Sequence, residues 1–133
     1  MTTTESIRDY WTAEAPSLKA RLLSRAMRTR AVFQGILWTQ MPLLAMVGPR
    51  VKELDEKSCR VELPFGFRNR NIFGTMYFAA SMMAAEAATG VLVLYHGAKR
   101  SDKQRFIVRN VAADFIKPAR STVVFECLEG QVI

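Results

Sequence analysis

The sequence predicts an α+β domain in which an antiparallel sheet wraps around one long helix. Two observations carry this. The elements read in the order helix, two strands, long apolar helix, two strands. The strands flank the helix on both sides along the chain and have short, hairpin-like connections, which suits a sheet packed on one helix.

Residues 1–15 form a polar lead-in, and residues 16–133 are read as one domain. The stretch PSLKARLLSRAMRTRAVFQGIL predicts a helix started by Pro16 and Ser17 and stopped at Gly35. Leu18, Leu22 and Leu23 give it an apolar side, and Arg21, Arg25 and Arg28 a basic stripe. WTQMPLLAMVG follows as an irregular buried connection.

A hairpin is expected next. Val51–Leu54 and Cys59–Leu63 bracket the polar turn DEKS, and Val61 and Leu63 alternate with Arg60 and Glu62 at the period of a half-buried strand. GFRNRN carries turn chemistry. The run from Gly74 to His96 predicts the long helix. RFIVRNVAADFIKPA reads as a strand ended by Pro118, and STVVFECLEG as another.

Half of the 133 residues are hydrophobic, enough for a substantial core. The net charge of +7 favours anionic partners. Its 19 cations are spread along the chain and include three groups: Arg21, Arg25, Arg28 and Arg30; Arg68 and Arg70; and Lys99, Arg100, Lys103 and Arg105. Aromatic side chains are not interleaved with them as a nucleic-acid stacking platform requires, so no nucleic-acid partner is expected. Cys59 and Cys127 lie outside metal-ligand spacing and read as ordinary thiols of a cytoplasmic protein. The single histidine, His96, supports neither a histidine-based metal site nor a Ser-His-Asp triad, and no metal is expected.

The long helix is apolar enough to raise the question of a membrane span. Between Ile72 and Tyr95 there is one charged side chain, Glu86. Its place near the middle, and the many small residues around it, argue for packing against protein and against a span. A buried carboxylate is costly unless bonded, protonated or used. Three readings of Glu86 stand: a partner for a neighbouring polar group, a group facing water at an interface, or a general base or nucleophile in an apolar cavity.

The start of the same helix offers unpaired backbone amides near Tyr77 and Phe78, which suit a developing oxyanion. Eight residues separate Phe78 from Glu86, about 12 Å along the axis. One helix does not bring both groups to one carbonyl. Two antiparallel copies do, so the expected assembly is a homodimer or a dimer of dimers with shared sites.

NIFGTMYFAASMMAAEAATG resembles the central-helix motif of hotdog-fold thioesterases of the phenylacetyl-CoA type. Asn71 and Gly74 match that motif, Tyr77 stands at its His position, Phe78 and Ala79 at its two Gly positions, and Glu86 at its acidic position. VRNVAADFIKPA resembles the strand that follows. RNRNIFGT looks closer to an uncharacterised thioesterase-like branch of the superfamily.

The resemblance implies a hotdog fold and hydrolysis of an acyl-CoA or other acyl thioester, without a cofactor. Glu86 would activate water or attack the thioester, the Phe78 amide would polarise the carbonyl, and Asn71 would hold the loop or the nucleophile. Gly74, Tyr77, Met82, Arg68 and Arg70 are the expected substrate-binding residues. A non-catalytic module that holds an acyl chain or thioester in the same cavity is the alternative. A hotdog sheet usually has five or six strands and only four are read here. Either the sequence is a fragment or a strand comes from elsewhere.

Overall fold

The computed structural model describes residues 17–99 and 105–133. The lead-in over residues 1–15, together with Arg100 and Lys103, lies outside the described residues. Helix α1 spans Leu18–Arg28 and is capped by Ser17, whose side chain accepts from the Ala20 amide at 3.2 Å. The single helix expected from residue 16 to Gly35 is instead two. Thr29 is extended (φ −78°, ψ 111°), and its amide closes α1 on the carbonyls of Arg25 and Ala26. β-Branched Thr29 also donates its hydroxyl to the Arg25 carbonyl at 2.8 Å, a local bond that competes with helix continuation.

Helix α2, Arg30–Gln40, runs straight through Gly35. The connection expected to be irregular contains a further helix, α3 (Pro42–Val47), with Pro42 in its first turn and Gly48 as its left-handed C-cap.

The hairpin forms as read. Strands β1 (Arg50–Leu54) and β2 (Cys59–Leu63) pair antiparallel, with a register shift between Val51 and Glu53. Asp55 holds the turn by accepting from the amides of Lys57 (2.7 Å) and Ser58 (2.9 Å). Strand β3 (Val123–Cys127) pairs with the other edge of β2, so the sheet order is β1-β2-β3. Cys59, Val61 and Leu63 point inward and are fully buried, as their alternation with Arg60 and Glu62 predicts. On the outer face Arg60 bridges Glu53 and Glu126 across all three strands.

The long helix, α4, spans Phe78–Gly97 and so begins four residues later than read. By length and composition it would cross a bilayer. Here it packs one face against the sheet. Ala80, Ala84, Ala87, Ala88 and Val91 are buried, and their small side chains let the sheet approach closely. Helix α1 is tied to β1 by the buried Ser24 hydroxyl, which donates to the Leu54 carbonyl at 2.8 Å. His96 meets the Glu56 carbonyl at 2.9 Å and so links the end of α4 to the hairpin turn.

The strand read in RFIVRNVAADFIKPA is corrected. Residues 105–118 form no strand, and Phe106, Ile107, Val108, Val111, Phe115 and Ile116 are exposed. A strand needs a neighbour for its backbone groups, and this segment finds none among the described residues. It is held by the edge-on contact of Phe115 with Phe78 and, just past its end, by the Met76 amide, which donates to the Ala119 carbonyl at 2.8 Å. Three strands, not four, are therefore present among the described residues.

Register brings the two cysteines together. Cys59 and Cys127 are direct cross-strand partners, both buried and both free. Burial, with smaller contributions from Cys127 and Asp55, pushes the Cys59 thiol up to about 12.

After β3 the chain passes close over the hairpin turn. The Gly130 amide donates to the Lys57 carbonyl at 3.1 Å, and a Cβ on Gly130 would collide with the carbonyl oxygens of Glu56 and Lys57. Backbone on both sides leaves little room to relax. Gly130→Ala is expected to lose about 1–3 kcal/mol, read as a lower urea midpoint at unchanged slope.

Candidate functional site

The loop between β2 and α4 builds the start of α4. A 3₁₀ turn, Phe67–Asn69, leads to a bridge between Arg70 and Met76 that closes residues 71–75 into a tight loop. Asn71 organises that loop. Its side-chain oxygen accepts from the amides of Phe73 (3.0 Å) and Thr75 (3.1 Å), and its side-chain amide donates to the Thr75 hydroxyl at 2.8 Å. Gly74 completes the turn at φ +73°, a conformation that strains any residue with a Cβ. The Asn71 side chain is thus fully engaged in holding the loop.

Sequence reading missed Asn69. It is buried, and its side-chain amide donates to the carbonyls of Val47 (3.0 Å) and Pro64 (2.7 Å). Its backbone carbonyl receives the Tyr77 amide at 2.7 Å. One residue, through its side chain and its backbone carbonyl, therefore pins the end of α3, the exit of β2 and the start of α4 to one another. Nothing in a polar loop such as RNRN marks which Asn does this.

Tyr77 is the N-cap of α4 and contributes no side-chain cap. The amides of Phe78, Ala79 and Ala80 have no acceptor among the described residues. They are three of the orphan donors at the positive end of the helix dipole. Around them lies an open groove of about 960 Å³, formed by Phe67, Arg70, the 71–74 turn, Tyr77 and Phe78. The Arg70 guanidinium sits 5.0 Å above the Phe67 ring, which holds a cation at the groove wall. Phe78 packs edge-on against Tyr77 and Phe115.

Arg70, Asn71, Gly74, Tyr77 and Phe78 are thus brought together. Arg68 is not with them: its guanidinium lies over Gly48 at the end of α3.

Glu86 is not in the core. The expectation of a buried carboxylate is corrected, because within one chain Glu86 is exposed. The reason is helical phase. The buried stripe of α4 faces the sheet, and Phe78, Met82, Glu86, Thr89 and Val93 recur on the opposite, outward side. Glu86 leans along the helix over Gly90, whose missing Cβ leaves room for the carboxylate. With Met41, Pro42, Leu43, Leu44 and Met83 it lines a smaller, open, largely apolar pocket of about 280 Å³. Met82 is half-buried on the outward stripe and lines neither cavity. The amides at Phe78 and the carboxylate of Glu86 therefore remain apart, about 12 Å along the axis. Among the described residues no cluster of three or more His, Cys, Asp or Glu side chains is placed to hold a metal ion.

A profile described as a domain of unknown function, DUF4442, matches residues 29–128. The chain belongs to the DUF4442 family. Its match covers both cavities and all the candidate residues. No curated protein matches the chain in sequence. Solved structures that share its fold include two crystal structures. One is a structural-genomics protein, APC5556, with TM-score 0.65 and 22% identity, covering 81% of this chain and 72% of that one. The other is OLEI01261, a protein with unknown function from Chlorobaculum tepidum TLS, with TM-score 0.64 and 16% identity, covering 77% of this chain and 65% of that one. The α+β fold of this DUF4442 chain, a small antiparallel sheet packed on one long helix, is hotdog-like.

Proposed function

We propose that this DUF4442 protein hydrolyses an acyl-CoA-type thioester at sites completed between two copies of the chain. The observation that carries the reading is the pairing on α4's exposed side: free amides at Phe78 and a lone, outward carboxylate at Glu86. In an antiparallel pair of helices each groove would receive the other chain's Glu86. The Phe78 amide would bind the thioester oxygen as it gains negative charge. The Glu86 carboxylate would take a proton from water as that water's oxygen bonds to the carbonyl carbon. The C–S bond then breaks, and the sulfur leaves with a proton as free thiol beside the carboxylic acid. Direct attack by the carboxylate, through a mixed anhydride that water opens, uses the same groups. Arg70, at the groove wall, suits the phosphates of CoA.

A binding module for acyl chains is the second reading. It is favoured by Phe78, 57% exposed, which lines the groove at a position where the thioesterase motif that the sequence resembles has glycine.

Release of free thiol from a panel of acyl-CoA substrates separates the two, and hydrolysis is expected. Arg70→Glu should raise KM for acyl-CoA about tenfold, the size of one lost charge-assisted hydrogen bond, and leave fatty-acid binding unchanged. Arg68→Glu should do less, since its side chain lies over Gly48 and not in the groove. No thiol release from any substrate, with retained fatty-acid binding, would establish the binding module instead.

A further inference from the structure

From Ser17 to Lys52 the chain has no Asp or Glu and seven Lys or Arg. Five of the seven, Lys19, Arg21, Arg25, Arg28 and Arg30, belong to α1 and the start of α2. None of these five makes an ion pair with the described residues. Helix chemistry accounts for Arg25 and Arg28, which lie in the last turn of α1, at the negative end of its dipole. It does not account for Lys19 and Arg21. They stand at the beginning of the helix, where cations are unfavourable, and the first turn has no acidic residue to offset them.

The apolar residues of α1 are also divided. Ala20 and Met27 are buried, and Ser24 lies between them, so this side faces the protein. Leu18 and Leu22, one turn apart, lie on the other side and are 72% and 58% exposed. At 100° per residue Lys19 flanks them on one side, and Arg25 and Arg21 on the other. The acid-free segment goes on to expose Trp38 in α2 and Leu43 and Met46 in α3. Apolar side chains framed by cations that make no ion pair with the described residues match an interfacial helix on an anionic bilayer. A nucleic-acid surface would ask for aromatic rings among the cations of α1, and α1 has none.

We propose that α1 docks this protein on anionic lipid surfaces, with Leu18 and Leu22 entering the headgroup region and Lys19, Arg21 and Arg25 facing the lipid phosphates. The contact is peripheral and independent of the thioesterase reading, because no α1 residue lines either cavity.

The test is co-sedimentation of the full chain with vesicles of phosphatidylcholine mixed with phosphatidylserine, and with vesicles of phosphatidylcholine alone. Binding is expected to the mixed vesicles only, and to fall as salt is raised. Arg21→Gln with Arg25→Gln should weaken it about 25-fold, roughly five-fold for each cation lost near the surface. Leu18→Ser with Leu22→Ser should weaken it about tenfold or more. All four side chains changed are exposed, so the variants should unfold at the parent's temperature, which thermal melts verify. Absent binding, equal binding to neutral vesicles, or parent-like binding by either double variant would overturn the proposal. So would a smaller assembly for the leucine variant in light scattering, which would give this face to a second copy of the chain. Cation-dependent retention on single-stranded RNA that mixed vesicles fail to displace would also overturn it.

Discussion

Glu86→Gln is expected to leave a folded, assembled protein that binds acyl-CoA and hydrolyses it about 1,000-fold more slowly. The change removes the only charge on α4 while keeping the shape of the side chain. Its cost to stability should be small, within about 0.5 kcal/mol, because Glu86 is exposed in the chain and Gln matches Glu in helix propensity. That separation of effects is what distinguishes a base from a structural partner. A base lost without its shape lowers kcat and spares KM. Hydrolysis at the parent rate would put the catalytic group elsewhere. A variant that fails to assemble would make Glu86 a hydrogen-bond partner between subunits.

The sequence conveyed this fold unevenly, and the pattern has physical causes. Strand β2 was legible because Arg60 and Glu62 must stay wet while Cys59, Val61 and Leu63 need not, so the period of two is written into the residue types. Helix α4 was legible as a helix but not in its orientation. A run of Ala, Met, Val and Leu has no polar side to mark the solvent, and a single Glu86 does not say whether it points in or out. The start of α4 was misplaced by four residues because the Asn71 loop holds residues 71–75 outside the helix, through bonds that composition does not reveal. The strand expected over residues 105–118 had the right residue types, but pairing depends on a distant neighbour. The pairing of Cys59 with Cys127 was equally hidden, since it follows from the register of β2 on β3.

For the candidate site, the same contrast holds between types and positions. Five of the expected residues meet at the groove, because one short loop and the first turn of a helix carry them all. Glu86 and Met82 do not meet them, since they lie eight and four positions beyond Phe78 along a rigid helix. What unites the two sets is the outward side of α4. Phe78, Met82, Glu86, Thr89 and Val93 form a stripe that is neither core nor fully polar. Under the proposed function it is the surface that a second chain covers.

A mixing experiment tests that composite geometry directly. Phe78→Pro should abolish hydrolysis alone, because it deletes the one amide assigned to the oxyanion. The substitution fits the backbone. Phe78 is the first residue of α4, where proline is well tolerated, and its amide has no acceptor to lose. Tyr77 before it already has the extended conformation that proline demands, at φ −67° and ψ 127°. Phe78→Pro and Glu86→Gln, each inactive alone, are then mixed in equal amounts and allowed to exchange subunits. If each site takes its amide from one chain and its carboxylate from the other, half of the dimers are mixed, and each mixed dimer has one intact site and one doubly broken site. Activity should return to about one quarter of the parent's, the product of those two halves. If both groups act within one chain, every site in the mixture lacks one of them and no activity returns. A mixture that stays inactive although light scattering and exchange of labelled subunits show mixed dimers would therefore refute the shared site, whatever the single variants do.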